Sequence, residues 1–395
     1  MEKFAIPTSR IQNRKNDLLD YISSSGYDGA VVFGMANVQY LSNFFAIETQ
    51  RPVALGITKE DTFLTIPEMD EIHVRNHDEF IYDDLFTYYE YPQSDPMQTV
   101  GEMCAELGID DGRIAVDSDG PAHTLGFSGP SLSNIVPGEV VVEDYFNDLT
   151  RYKDETEIQL YREGGTWVNL AHRLLQQKIE TGEHPICLAE ESQTEAIRSM
   201  INALGDRYQL TSWDPPIQVT CTAGEENAYC HNLNQQKPIE EGDLIETFVM
   251  AEMFGYKTGK LERTMVVGEP SNEQRDYFEI MKEAQEILFD AIEPGISYGY
   301  TEDIIDDFFA EHGLEDNQAH RPGHGMGLSW LSRPFLDRGL EGEFSVGEVF
   351  TVEPAFYIPD IGGFRHCDTV TVTEDGIEVL TYYPRDLDDL TIPVE

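Results

Sequence analysis

Amphipathic helices that alternate with apolar strands constrain the fold of the second half of the chain more than any other feature. One helix begins at Ser271, where Gln274 completes a capping box, and ends before the Pro294-Gly295 pair. Its apolar face is formed by residues spaced three or four apart: Tyr277, Met281, Ala284, Leu288 and Ile292. Apolar strands such as "LERTMVVG" and "EVFTVEPAFY" lie between and after the helices. This pattern predicts an α+β domain in which long helices pack on a mostly antiparallel sheet.

The first part of the chain has a different pattern, in which helix and strand alternate from residue 10 to residue 150. A helix stopped by glycine is followed by the buried strand "GAVVFG" and by a predicted hairpin in "RPVALGITKEDTFLTI". This favours a small α/β domain. Because 395 residues are too many for one hydrophobic core, we predict two domains, residues 1–152 and residues 153–395.

The charge of the chain is strongly negative. Its 74 acidic residues stand against 26 lysines and arginines, for a formal net charge of -48. The acidic residues are scattered instead of forming a tail, which favours a solvated acidic shell typical of proteins that work in concentrated salt. The alternative is an ordinary acidic protein. Since the sequence has no basic patch to pair with phosphates, we expect no nucleic-acid partner.

The cysteines and the apolar segments indicate a compartment. The five cysteines are odd in number and contain no CxxC pair, so a disulfide framework is not expected and a reducing environment is favoured. The first residues, "MEKFAIPTSR", have no apolar leader region, and no apolar run is long enough to span a membrane. We therefore predict a cytoplasmic protein without a membrane partner.

Five stretches in the second half carry candidate chemistry. In chain order they are "CHNLN", "EEGDLIETFVMAEMFGYKTGKLERT", "HRPGHGMGLS", "FTVEPAFYIP" and "GGFRHCDTVTVTEDG". Their order resembles the catalytic domain of the pita-bread family, which includes proline-specific peptidases, methionine aminopeptidases and creatinases. The stretch "NVQYLSNF" is similar to the N-terminal domain of the two-domain members. The resemblance therefore implies a C-terminal pita-bread domain preceded by a creatinase-like α/β domain.

The resemblance also implies where metal ligands would stand. The peptidases hold two metal ions on two Asp, one His and two Glu. Here the first Asp position falls at Phe248, the second at Gly259 or Lys260 because one residue is inserted, and the last Glu position at Cys367. A further His of the peptidases corresponds to Leu331. We therefore expect no metal cofactor.

Two of the five ligand positions keep their residue type, His324 and Glu353. Together with His366 and Cys367 they leave open an alternative, a single zinc or manganese ion on four side chains, because His, Glu and Cys are ligands that suit zinc.

The motif "LERT" is similar to that of creatinase, the branch of the family that works without metal. The resemblance assigns the catalytic His to His231 of "CHNLN" and the carboxylate that grips a guanidinium to Glu262. It assigns the residue that binds a substrate carboxylate to Arg51 of "QRPVAL", which in the family reaches the site of the neighbouring subunit, so a homodimer is implied. Glu262 could instead pair with Arg263 on its strand, and Arg51 could be a surface ion-pair partner.

One position departs from creatinase. His366 stands where creatinase has a second carboxylate for the guanidinium, which favours a substrate with fewer N–H donors, such as the cyclic amidine ectoine, over creatine.

The sequence thus predicts a metal-independent hydrolase of a non-peptide C–N bond in a small amidine or guanidino carboxylate. His231 and Glu262 are the predicted catalytic residues, with one imidazole moving the protons. The alternatives are an Xaa-Pro dipeptidase or aminopeptidase that uses metal and a catalytically silent binding protein. The predicted substrate contacts are Arg51, His324, Glu353, Arg365 and His366.

Overall fold

The structure is a computed structural model that describes residues 5–121, 126–208, 214–233 and 236–394. The described residues form two compact units. The N-terminal unit comprises Ala5–Thr150, and the C-terminal unit comprises the described residues from Arg151 onward.

The N-terminal unit is a mixed sheet with helices. Its helices are α1 (Thr8–Ser24), α2 (Met35–Ser42), α3 (Glu71–Arg75) and α4 (Pro96–Glu106). Its strands are β1 (Gly29–Val32), β2 (Ala54–Ile57), β3 (Thr62–Pro67), β4 (Asp84–Tyr88), β5 (Arg113–Val116) and β6 (Glu139–Val142). In the described residues the strand order is β4-β3-β2-β1-β5-β6. Strands β2 and β3 form the antiparallel hairpin that the sequence predicts, whereas β1, β5 and β6 run parallel.

Helix α4 shows how the sequence builds this unit. The Asp95 side chain accepts hydrogen bonds from the backbone amides of Met97 and Gln98, so the helix begins with its free N–H groups satisfied. The buried face of the helix, which includes Val100 and Met103, joins strand residues in one apolar core.

The C-terminal unit contains the longest helices and strands. Its helices are α5 (Glu155–Gln176), α6 (Pro185–Leu204), α7 (Asn272–Ala291) and α8 (Tyr298–Glu311). Its strands are β7 (Ile217–Ala223), β8 (Leu244–Met253), β9 (Tyr256–Val267), β10 (His324–Gly325), β11 (Ser332–Phe335), β12 (Val349–Val352), β13 (Ala355–Ile358), β14 (Gly362–Arg365), β15 (Asp368–Thr373), β16 (Gly376–Val379) and β17 (Thr391–Ile392). Helix α7 carries the capping box between Ser271 and Gln274 that the sequence predicts.

The described strands of this unit form three sheets. One sheet has the order β17-β9-β8-β7, another has the order β11-β10-β12-β15-β16, and β13 pairs with β14. Among the described strands of this unit, β17 runs parallel to its neighbour β9, and the other neighbours are antiparallel. The long β8–β9 hairpin lies beside the start of β15, because Glu262 and Cys367 form a β-bridge with two backbone hydrogen bonds of 3.1 Å. This bridge joins motifs that lie about a hundred residues apart in the sequence.

The cysteines and the helices bear on the compartment of the protein. All five cysteines are free thiols. Within the described ranges, every helix is too short or too polar to cross a lipid bilayer.

Candidate active site

A β-bulge in the β8–β9 hairpin decides which side chain occupies the second expected ligand position. Ala251 pairs with Gly259, but its neighbour Glu252 pairs with Lys257, so Thr258 is an extra residue on β9. From Gly259 onward the pairing is regular and brings Lys260 opposite Met250. The insertion is therefore absorbed before Gly259, and Lys260 takes the expected ligand position.

Strand alternation then places several charged side chains on one face of the hairpin. Directly paired residues of antiparallel strands point to the same face, and so do residues two apart on one strand. Phe248 pairs with Glu262, and Glu246 pairs with Thr264. Glu246, Phe248, Lys260 and Glu262 consequently share a face, and all four are largely buried.

Lys260 binds two carboxylates on this face. Its Nζ lies 2.5 Å from Glu353 Oε2 and 3.5 Å from Glu262 Oε1. Burial by itself lowers the pKa of Lys260, but the two carboxylates, Glu262 first, raise it above its ordinary value. The side chain therefore stays an ammonium ion inside the protein.

Glu353 follows the end of β12 and receives a second partner. His324 Nε2 lies 3.2 Å from Glu353 Oε1, and the hydroxyl of Thr351 donates to the same oxygen at 3.1 Å. Burial favours the protonated acid, but Lys260 and then His324 outweigh it and hold the pKa of Glu353 well below its ordinary value. Glu353 is therefore an ionised carboxylate in a buried site.

Arg365, at the end of β14, supplies the second strong cation. Its Nη2 lies 2.6 Å from Glu246 Oε1, its Nε lies 2.7 Å from Glu262 Oε2, and its Nη1 donates to the hydroxyl of Tyr357 at 3.2 Å. The pKa of Arg365 is raised well above its ordinary value, because the carboxylates outweigh the effect of burial. Arg365 thereby completes a charged cluster of five side chains: Glu246, Lys260, Glu262, Glu353 and Arg365.

Glu246 differs from the other carboxylates of the charged cluster. Burial raises its pKa from 4.5 to about 7, although Arg365 beside it has a lowering effect. Such a group can take up or release a proton near neutral pH, which is typical of acids and bases in catalytic sites.

Cys367 lies next to the charged cluster. Its thiol is fully buried, and burial followed by the nearby Glu353 raises its pKa well above the ordinary value. One oxygen each of Glu262 and Glu353 and the sulfur of Cys367 lie within 4.8 Å of one another. Among the described side chains, this is the group of three whose donor atoms lie close enough to hold a metal ion.

His366 points away from the charged cluster, because it alternates with Arg365 and Cys367 along the chain. Its ring packs against Phe278 with 5.2 Å between centroids, and its Nε2 lies 3.2 Å from the carbonyl oxygen of Arg385. Burial and then the charge of Arg263 lower its pKa well below the ordinary value, so the ring is neutral. The structure does not bring His366 together with Glu262.

Arg263 also points away from the charged cluster. Its side chain donates to the backbone carbonyl of Glu262 at 2.7 Å and forms an ion pair of 2.9 Å with Asp368. The carboxylate of Glu262 is thus bound by Lys260 and Arg365, and not by its neighbour on the strand.

The two remaining predicted residues lie in other surroundings. His231 is exposed, close to the end of the described segment 214–233. Arg51 lies in the N-terminal unit, where Nε and Nη2 donate to the two oxygens of Glu90 at 2.7 and 3.0 Å. This is a bidentate pair on a partly exposed surface.

A cavity of about 560 Å³ lies on the side of β9 that carries Arg263. Its lining includes Lys282, Tyr383 and Arg385 but no member of the charged cluster. The motifs converge on the charged cluster and not on this cavity, so the charged cluster is the candidate site.

Three features of the site were not predicted from the sequence: Glu246, Tyr357 and the role of Lys260 as a partner of carboxylates. One signal was present, because Glu246 lies two residues before Phe248 in a strand that is mostly apolar. A charged residue on the same face as Phe248 points into the same site.

Comparisons with known proteins identify the family of this chain. Residues 159–374 match Metallopeptidase family M24, and residues 14–142 match the Creatinase/Prolidase N-terminal domain. An Xaa-Pro dipeptidase of Pyrococcus horikoshii is 25% identical over 386 residues, which are 95% of this chain and 99% of the relative. The solved Xaa-Pro dipeptidase from Bacillus anthracis has a TM-score of 0.80 at 23% identity and covers 95% of this chain and 99% of its own. A zinc-substituted aminopeptidase P of E. coli has a TM-score of 0.74 at 17% identity and covers 96% of this chain and 97% of its own.

These comparisons confirm the pita-bread family and the two-domain α+β fold predicted from the sequence. They also show that the main functional prediction, a metal-independent hydrolase of creatine, ectoine or a similar compound, is wrong. The relatives are Xaa-Pro dipeptidases, in agreement with the peptidase alternative. The physical reason is that "LERT" fixes one carboxylate on a strand, which by itself does not identify a substrate.

The prediction of no metal cofactor is wrong as well, because the matched family consists of metallopeptidases and a zinc-substituted enzyme shares the fold. The residues present do not fit a pair of ions, since Phe248 has no ligand atom and Lys260 adds a positive charge at the next position. The donor atoms of Glu262, Glu353 and Cys367 do lie close enough together for one ion, although the ammonium of Lys260 already binds the two carboxylates.

Proposed function

This chain belongs to metallopeptidase family M24, and we propose that it hydrolyses the peptide bond of small dipeptides, with Xaa-Pro dipeptides as the substrate class. The observation that carries the proposal is the ionised Glu353, bound by Lys260 and His324 at a position where the family motif requires a ligand. The Xaa-Pro dipeptidases that match this chain over nearly its full length support the substrate class.

The charged cluster offers the proton chemistry that peptide hydrolysis needs. Attack of water on the carbonyl carbon releases a proton, and the leaving amine takes one up. Glu246, with its pKa raised to about 7, can carry a proton between these two events at neutral pH. Arg365 holds Glu246 in place, and the Tyr357 hydroxyl steadies the same guanidinium.

One divalent ion would be held by Glu262, Glu353 and Cys367, and when bound it would polarise the substrate carbonyl and make a water more acidic. His324 would remain beside Glu353, at the edge of the site. The ring of His324 contacts Trp330 edge to face with 6.1 Å between centroids, and Trp330 is half exposed. The exposed indole of Trp330 offers an apolar surface beside the site on which the proline ring of a dipeptide could pack.

The test is an assay on the purified full-length protein with Xaa-Pro dipeptides and the matched Xaa-Ala dipeptides. Each is incubated at low and high salt with Mn²⁺, Zn²⁺ or Co²⁺, and the products are identified by mass spectrometry. We expect Xaa-Pro cleavage, and we expect Glu353→Gln to abolish it. The control is Glu269→Gln, which changes a carboxylate of the same type whose side chain is 84% exposed.

The proposal fails if no dipeptide is cleaved under any of these conditions while the protein is folded by circular dichroism. It also fails if Glu353→Gln cleaves as fast as Glu269→Gln, because the carboxylate that carries the proposal would then have no role.

We further propose that the protein is a cytoplasmic, salt-adapted homodimer in which His231 and Arg51 contact the substrate, Arg51 from the neighbouring subunit. The free cysteines and the net charge of -48 support the first part. Light scattering after size exclusion in high salt tests the dimer. We expect His231→Ala and Arg51→Met to raise KM. An unchanged KM in Arg51→Met would mean that Arg51 does not contact the substrate and only forms its ion pair with Glu90.

A further inference from the structure

We propose that Lys260 is a built-in cation that competes with a divalent metal ion for the site formed by Glu262, Glu353 and Cys367. The ammonium group lies 2.5 Å from Glu353 and 3.5 Å from Glu262, and these two carboxylates belong to the one described group that can hold a metal. The inference rests on this geometry and does not depend on dipeptide cleavage.

The competition follows from charge and space. Buried carboxylates need a nearby positive charge, because an unpaired charge in a dry interior is costly. The ammonium of Lys260 supplies that charge and is tethered to the site by its own chain. A divalent ion on the same oxygens would lie close to the ammonium and would be repelled by it.

The surroundings of Lys260 hold it in place. Its backbone amide donates to the hydroxyl of Thr369 at 2.8 Å, and its Nζ lies 5.9 Å from the centre of the Phe248 ring. The side chain is 7% exposed, so it cannot leave the carboxylates for water without a change in the packing around it. An incoming ion must therefore displace the ammonium from Glu353.

The experiment compares zinc binding by the wild type and by Lys260→Met, in which the side chain keeps its length and loses its charge. Zinc alone is titrated against a competing chelator, and thermal unfolding is followed with zinc and with chelator. We expect Lys260→Met to bind zinc at least about tenfold more tightly than the wild type, because the repulsion is gone. We also expect zinc to raise the Tm of this variant more than that of the wild type.

Two matched variants show whether charge at this position is the cause. Lys257→Met removes a lysine from the same strand that pairs with Glu252 and does not touch the charged cluster, and its zinc affinity should equal that of the wild type. Lys260→Arg keeps the positive charge, so its zinc affinity should remain weak. The double variant Lys260→Met with Glu353→Gln should lose the tight binding.

Several results would overturn the proposal. One is equal zinc affinity in the wild type and Lys260→Met, and another is tight zinc binding by Lys260→Arg. A third is a double variant that binds zinc as tightly as Lys260→Met alone. If Lys260→Met does not fold, the wild type and Lys260→Arg still decide, since zinc that resists chelator in either protein contradicts competition. Because the readout is zinc binding, the result is separate from whether dipeptides are cleaved.

Discussion

Arg263 and Asp368 form an ion pair of 2.9 Å that lies entirely inside the protein. The same guanidinium donates to four backbone carbonyl groups, those of Glu262, Cys367, Tyr383 and Pro384. The Arg263 side chain thus links β9 to the start of β15 and to the segment after β16 by hydrogen bonds. The guanidinium binds the carbonyl groups of both residues of the Glu262–Cys367 bridge, which lie in the candidate site.

We predict that Arg263→Met destabilises the protein by about 3–5 kcal/mol, because it leaves the carboxylate of Asp368 buried without its partner. Chemical denaturation measures the change in free energy. The control is Arg275→Met, which removes a partly exposed pair with Glu269 and should cost less than about 1 kcal/mol. Equal effects of the two substitutions would contradict the structural role of Arg263.

Glu246 should make the stability of the wild type fall as the pH rises. Its pKa is about 7 in the folded protein and 4.5 when unperturbed, so between these values the folded state binds more protons than the unfolded state. The loss should approach about 3 kcal/mol above pH 7. The groups that influence the pKa of Glu246 are Arg365, Glu262, Lys260 and Glu353.

The measurement is the free energy of unfolding of the wild type and of Glu246→Gln from pH 4.5 to 8. We expect the wild type to lose stability relative to the variant as the pH rises through this range. Glu378→Gln is the control, since its bond to Arg162 lowers the pKa of Glu378 below the ordinary 4.5. Its contribution is lost only on acidification below this range, so its difference from the wild type should stay nearly constant from pH 4.5 to 8. A difference between the wild type and Glu246→Gln that does not change with pH would refute the assignment.

Much of the fold was predictable because its signals are local. The capping box of Ser271 and Gln274 starts α7 as predicted, and the turn between β2 and β3 forms the expected hairpin. The sequence also located Glu262 and Glu353 in the motifs that converge. The ionised state of Glu353 was not predictable, since it depends on Lys260, which lies 93 residues earlier in the chain.

The side to which His366 points could have been judged from the alternation of neighbouring side chains. His366 lies in the short link between β14 and β15, where alternation places Arg365 and Cys367 opposite to it. The choice between Gly259 and Lys260 was harder. It depends on the bulge at Thr258, and nothing in the letters "YKTGKLERT" shows where a strand absorbs an extra residue.

The acidic shell makes a prediction about salt. Self-repulsion from a net charge of -48 is screened over about 10 Å at 0.1 M salt and about 3 Å at 1 M. We expect the Tm to be lower in about 0.1 M KCl than in about 2 M KCl, and a loss of about 2 kcal/mol would correspond to roughly 4–8 °C. Sucrose stabilises folded proteins without screening charge. If screening is the cause, sucrose added to about 0.1 M KCl should not raise the Tm to the value in about 2 M KCl. An equal Tm at both salt concentrations would favour an ordinary acidic protein.

Gly164 on α5 packs against the bulge residue Thr258, and we predict that adding a methyl group at Gly164 destabilises the protein. A Cβ added at Gly164 would lie 2.5 Å from Thr258 Cβ and 2.7 Å from the Thr258 carbonyl oxygen, so the helix and β9 would have to separate. Gly164→Ala gains about 1 kcal/mol of helix propensity, but overpacking costs about 1–3 kcal/mol. We therefore expect net destabilisation by chemical denaturation. Thr166→Ala on the exposed side of the same helix should not destabilise it, and a Gly164→Ala protein as stable as Thr166→Ala would mean that α5 and the bulge are not in tight contact.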